Sequence, residues 1–107
     1  MEFKYVKIVV YVPVEFAESI RNALAKAGAG KMGNYSECSF SMRGTGRFTP
    51  LEGSNPFIGN QNKIEEVIEE RIETVCPAEI YKQVIVDVTK AHPYEEPAID
   101  VYPLINM

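Results

Sequence analysis

Ile64-Glu65-Glu66-Val67-Ile68-Glu69-Glu70-Arg71-Ile72-Glu73-Thr74-Val75 is the stretch on which the fold of this chain turns, because it satisfies two incompatible periodicities. Wound as a helix, Ile64, Val67, Ile68, Arg71, Ile72 and Val75 fall at i, i+3, i+4, i+7, i+8 and i+11, an amphipathic stripe with glutamates opposite. Drawn out as a strand, Ile68, Glu70, Ile72 and Thr74 share one face, and Val67, Glu69, Arg71, Glu73 and Val75 share the other. Periodicity alone says helix, while β-branched enrichment favours the strand only moderately. The residues themselves leave both readings open.

The flanking segments are clearer. Residues 3–12 read as a strand with Val6, Ile8, Val10 and Val12 on a pure core face and Tyr5, Lys7, Val9 and Tyr11 on an amphipathic one that another subunit could cover. Pro13 closes it. Glu15 and Glu18 then sit in a first helical turn, and Phe16, Ile20, Ala23, Leu24 and Ala27 form a helical stripe that ends at Gly28. Gly28-Ala29-Gly30-Lys31-Met32-Gly33 matches the GxGxxG string, but it follows a helix instead of leading from a strand into a helix N-terminus. It therefore reads as a glycine cap and connector, not a dinucleotide fingerprint.

Residues 35–48 alternate as a strand, with Tyr35, Cys38, Phe40, Met42 and Phe48 as bulky members and Gly44 and Gly46 as expected bulge or bend points. The loop from Thr49 to Asn62 is longer than most internal connections, and such loops tend to carry function. Pro77 opens a segment to Ala91 with Ile80, Val84, Val88 and Ala91 on one helical face. Glu79 near its start and Lys90 near its end favour helix over the strand propensity of Val84 to Val88. Ala98 to Ile105 reads as a closing strand, with Pro103 marking an edge or a bulge within it.

Composition bounds the function. The chain has 107 residues, 46% hydrophobic and 24% charged, which suits one globular domain over residues 1–107. Eleven basic against fifteen acidic residues give a formal net charge of −4, so no electrostatic footprint for nucleic acid is present. The first residues lack the order of a signal peptide and no apolar run reaches a membrane-spanning length, so a cytoplasmic protein with no membrane partner is expected. Cys38 and Cys76 are too far apart for a CxxC pair and too few for a zinc cage, and read as reduced, buried thiols.

His92-Pro93-Tyr94-Glu95-Glu96-Pro97 holds the only histidine and two adjacent carboxylates between prolines, which fix the backbone and present the side chains from a stiff turn. His92, Glu95, Glu96 and Asp100 offer one imidazole nitrogen and several oxygens to a divalent cation, a thin donor set for a metal. The competing reading is structural, with His92 and the carboxylates meeting backbone amides or Arg71. Glu70 and Glu73 would serve as general bases only if burial raised their pKa values. Tyr5, Tyr11, Tyr35, Phe40 and Phe48 could line a pocket or pack between subunits.

Taken together and in order, Gly28-Ala29-Gly30, Gly33-Asn34-Tyr35, Cys38-Ser39-Phe40, Gly44-Thr45-Gly46-Arg47-Phe48, Pro50, Glu70-Arg71-Ile72-Glu73 and His92-Pro93-Tyr94-Glu95-Glu96 with Asp100 resemble the insert domain of YqfO-type proteins, bacterial members of the Ngg-interacting-factor-three-like family. That insert is similar to CutA and PII signalling proteins. The resemblance implies an α+β fold, a ferredoxin-like βαββαβ sandwich with an antiparallel sheet and two helices on one face. It makes residues 66–76 the third strand, and it implies a homo-oligomer, a trimer ahead of a dimer.

In the full-length family, flanking domains carry a dinuclear metal site, and the description as a type-two GTP cyclohydrolase homolog attaches to that longer architecture. None of those ligands has a counterpart here, so the resemblance does not bring metal binding or GTP turnover with it. The expected function is a non-enzymatic regulatory or small-ligand-binding module, a standalone version of the insert. A divalent-metal-binding protein or metal-dependent hydrolase is the alternative, and a protein-interaction adaptor the third. Candidate ligand contacts are Tyr35, Cys38, Arg47, Arg71, Glu73, His92, Tyr94, Glu95 and Glu96, between the long loop and the His92 turn. His92 and Glu96 are the candidate pair for a divalent metal ion, the one cofactor considered.

Overall fold

A computed structural model of the chain describes residues 3–105. Its elements run β1 (Tyr5–Pro13), a short 3-10 turn (Val14–Phe16), α1 (Ala17–Ala27), β2 (Phe40–Phe48), β3 (Glu65–Pro77), a second 3-10 turn (Ala78–Ile80), α2 (Tyr81–Ala91) and β4 (Ile99–Leu104). The four strands form one sheet in the order β2-β3-β1-β4, with every neighbouring pair antiparallel. This is the expected α+β, ferredoxin-like arrangement.

From Glu65 onward the disputed stretch is a strand, in place of the helix its periodicity favours. As a central strand it gives its backbone amides and carbonyls two partners, β1 through Val10↔Ile72 and β2 through Ser41↔Ile72, and it still buries Ile72 and Cys76 completely. Ile64 and Ile68, which completed the helical stripe, are left 63% and 57% exposed. Tertiary pairing outweighs the local pattern.

Both helices lie on one face. Ile20 and Leu24 of α1 and Val84 and Val88 of α2 close over Val6, Ile8, Val10 and Val12, the face assigned to the core from sequence, together with Ile72 and Cys76. Each fully buried aliphatic side chain contributes about 1.5–3 kcal/mol. The opposite face, with Lys7, Val9 and Tyr11 of β1 and Arg71 and Glu73 of β3, carries no helix. It is less open than expected, since Val9 is fully buried between its register partners Glu73 and Asp100.

Two readings of the second strand need correction. It begins at Phe40, so Tyr35 and Cys38 belong to the connector before it, and its register with β3 runs without a bulge through Gly44 and Gly46. The connector is laid against the free end of β3. The Gly30 amide donates to the Val75 carbonyl, the Cys38 amide to the Gly30 carbonyl, and the Thr74 hydroxyl to the Cys38 carbonyl. At Gly30, φ is +84° and a Cβ would collide with the Cys38 backbone, so close backbone approach accounts for this glycine of the GxGxxG string.

Candidate functional site

The α2 helix ends at His92, whose extended backbone (φ −82°, ψ 137°) sends the chain toward Pro93 and across the end of the sheet where β1 stops. Both nitrogens of the His92 ring are used there. The Tyr94 amide donates to Nδ1 at 3.1 Å, which leaves Nε2 to donate to the Tyr11 carbonyl oxygen at 2.7 Å. The ring is therefore the neutral Nε2–H tautomer. Burial lowers its pKa below the ordinary 6.5, against the opposing pull of the Tyr11 carbonyl and the negative charge of Glu69.

This bracing sets Tyr94. Its ring lies tilted against His92 (centroids 5.1 Å apart) and edge-on to Phe48 (5.7 Å), and its hydroxyl donates to Glu69 Oε2 at 2.8 Å. Burial first, and then the Glu69 hydrogen bond, raise the phenol pKa well above its usual 10. Glu69 occupies its position because Gly46 lies beneath it; a Cβ on Gly46 would overlap the carboxylate. The glycine expected to bend the strand instead makes room for a buried acid.

Over this floor the 49–62 loop folds back. The Asn55 amide donates to Glu95 Oε2 at 2.9 Å, and Phe57 packs edge-on against Phe16 with centroids 5.5 Å apart. Between loop, turn and sheet lies a cavity of about 510 Å³, within the range typical of small-ligand sites. Its walls are mainly Phe48, Pro50, Pro56, Phe57 and Ile58, while Tyr11, Tyr94, Glu69 and Glu95 supply polar atoms.

Of the residues singled out from sequence, Arg47, Tyr94, Glu95 and Glu96 come together at this cavity, and His92 supports it from behind. Tyr35 and Cys38 do not: Tyr35 is 75% exposed on the connector, and Cys38 lies beside Thr74 toward the other end of β3. Arg71 and Glu73 form their own cluster on the helix-free face. Arg71 Nε lies 2.9 Å from Glu73 Oε2 without the alignment of a hydrogen bond, Lys7 Nζ is 3.3 Å from Glu73 Oε1, and the Arg71 guanidinium sits 5.7 Å from the Tyr11 ring centre. Glu70, on the helix-covered face, accepts from Arg21 at 2.7 Å. Neither Glu70 nor Glu73 is thus an unengaged base.

His92 has no free nitrogen, Glu96 is exposed at the cavity wall, and among the described residues no group of three or more His, Cys, Asp or Glu side chains converges. The contacts missed from sequence are Glu69, Gly46 and Phe57. Gly46 in an otherwise regular strand was the available signal, since a glycine there marks either a bulge or a close approach.

No family model matches the chain. Similarity to individual proteins is strong. The chain is 52% identical over 98 residues to the GTP cyclohydrolase 1 type 2 homolog of Bacillus subtilis (strain 168), covering 92% of this chain and 26% of that protein. With the protein of the same description from Halalkalibacterium halodurans it shares 51% over 100 residues, 94% of this chain and 27% of the other. It aligns with one segment of longer proteins. The chain spans about a quarter of the length of the curated relatives it matches.

Solved structures agree with that placement. The Bacillus cereus protein related to NIF3 superimposes with a TM-score of 0.84 at 51% identity, over 97% of this chain and 26% of that one. The periplasmic divalent cation tolerance protein CutA from Archaeoglobus fulgidus superimposes with a TM-score of 0.70 over 96% of this chain and 86% of its own length; at 23% identity this speaks for the fold alone. No described helix is long and apolar enough to cross a membrane.

Proposed function

We propose that the chain is a small-ligand-binding, non-enzymatic module of one domain that works as a homo-oligomer, equivalent to the insert of the YqfO-type relatives. One observation carries the reading: the cavity of about 510 Å³ already holds its polar groups in place, with Tyr94 braced by His92 and tied to Glu69, and Glu95 tied to the loop by Asn55. Groups held before a ligand arrives lose little entropy on binding it. These atoms are arranged to bind and orient a molecule, and none is an activated nucleophile.

Self-association is supported by the helix-free sheet face, where Phe40 is 62% and Met42 47% exposed on the outer strand β2. The two free cysteines fit a reducing compartment such as the cytoplasm. The relatives' description as cyclohydrolase homologs belongs to proteins about four times as long. A metal-dependent hydrolase built on this turn would first have to strip His92 of a backbone hydrogen bond.

Native mass spectrometry of gently purified protein tests the reading, because one spectrum reports subunit count, retained metal and retained organic ligand. An oligomer carrying a small organic mass is the expected result. A monomer carrying stoichiometric divalent metal would overturn it in favour of the metal reading.

A further inference from the structure

Glu69 and Glu70 are adjacent on β3 and equally buried, each 8% exposed, yet only one of them has a cation. On the helix-covered face Glu70 meets Arg21 at 2.7 Å, with Arg43 at 3.7 Å. On the other face Glu69 accepts one phenol hydrogen bond from Tyr94, and among the described residues no Lys, Arg or His stands within ion-pair distance of it. The guanidinium two positions along, Arg71, is engaged with Glu73. Buried carboxylates are ordinarily paired, because desolvation without a counter-charge is costly.

Glu69 lines the cavity. Glu95 and Glu96 add two carboxylates at its wall, and the one basic side chain there, Arg47, lies 3.3 Å from Glu66. The lining also includes four aromatic residues, Tyr11, Phe48, Phe57 and Tyr94. An aromatic-lined pocket with a net negative floor matches cations that carry an apolar body, since ring faces and a carboxylate both attract the same charge. Tyr11 already has such a partner in Arg71 on its adjoining groove.

We infer that the cavity takes an organic cation, an amine or amidine on an aromatic or aliphatic body, with Glu69 as its counter-ion. The inference rests on reading the cavity as a ligand site. Tyr94 positions the carboxylate, Gly46 leaves it room, and the loop around Phe57 covers the apolar end of the ligand.

Three probes of one shape test it: benzamidine, benzamide and benzoate, titrated into the full chain by isothermal calorimetry with NMR shifts to locate them. Benzamidine should bind at least about tenfold more tightly than benzamide, as loss of one charge-assisted hydrogen bond would give, and benzoate should be weakest. In Glu69→Gln the preference should collapse while benzamide binding persists, which also reports that the pocket is intact. Should that variant fail to fold, the wild-type ranking at low and high salt decides alone, the benzamidine preference narrowing as salt rises. Benzamide or benzoate binding as tightly as benzamidine at Tyr94 and Phe48 would sink the cation inference and leave the ligand-site reading standing. No shifts at those residues with any probe would sink both.

Discussion

His92→Ala removes the side chain that ties the end of α2 to the end of β1, and the cost follows from what it leaves behind. The Tyr11 carbonyl and the Tyr94 amide each lose a partner at a residue that is 7% exposed. An unsatisfied buried group costs about 1–3 kcal/mol, so with partial rescue by water the variant should lose roughly 2–4 kcal/mol. For a domain of this size that is a fall in Tm of at least about 8 °C.

The same residue gives a pH signature. Burial holds the folded-state imidazole below its ordinary pKa of 6.5, so between the lowered value and 6.5 the unfolded chain binds a proton that the folded chain refuses. The stability from neutral His92 is therefore fully present above pH 6.5 and is lost as pH falls below it, by at most about 1.4 kcal/mol per pH unit. Urea unfolding of wild type and variant between pH 8 and 5 measures both effects. The wild-type curve should drop more steeply than the variant's below pH 6.5. An unchanged midpoint, or two parallel pH profiles, would refute the bracing role.

Other expectations follow from single contacts. Gly46→Ala should push the Glu69 carboxylate away from Tyr94 and cost about 1–3 kcal/mol by overpacking, read by thermal unfolding together with loss of cavity ligands. Phe40→Glu, on the open sheet face, should shift the protein toward monomer in sedimentation velocity while circular dichroism stays the same. Burial pushes the Cys76 thiol up to about 11, so a thiol reagent at pH 8, a condition chosen well below that value, should titrate Cys38 quickly and leave Cys76 unreacted until the chain unfolds.

How far the sequence could be read depended on whether a signal was local. The strand at Tyr5–Pro13 and the helix ending at Gly28 announce themselves through period, proline and glycine. The β3 strand does not, because its pairing partners β1 and β2 are remote in sequence and only they make extension better than winding. The same limit governed the site. The His92 turn and the long loop were visible as a stiff segment and a long connection, and the cavity lies between them. Tyr35 and Cys38 would lie on the sheet in a second strand that ran from residue 35, whereas the connector holds Tyr35 against Met32 and Cys38 against Gly30 and Thr74. Glu69 was hidden within a run of glutamates, since which carboxylate is buried depends on the strand's register, on Gly46 and on the reach of Tyr94.

The space between the 49–62 loop and the His92 turn is proposed as the binding site. It is tested most directly by amide and aromatic NMR titration of the full chain with a mixed library of small amines, neutral aromatics and acids. Saturable shifts confined to Tyr94, Glu95, Phe48, Phe57 and their neighbours are expected, with Tyr35 and Cys38 unmoved. Shifts that saturate elsewhere, or none at millimolar ligand across the library, would contradict it.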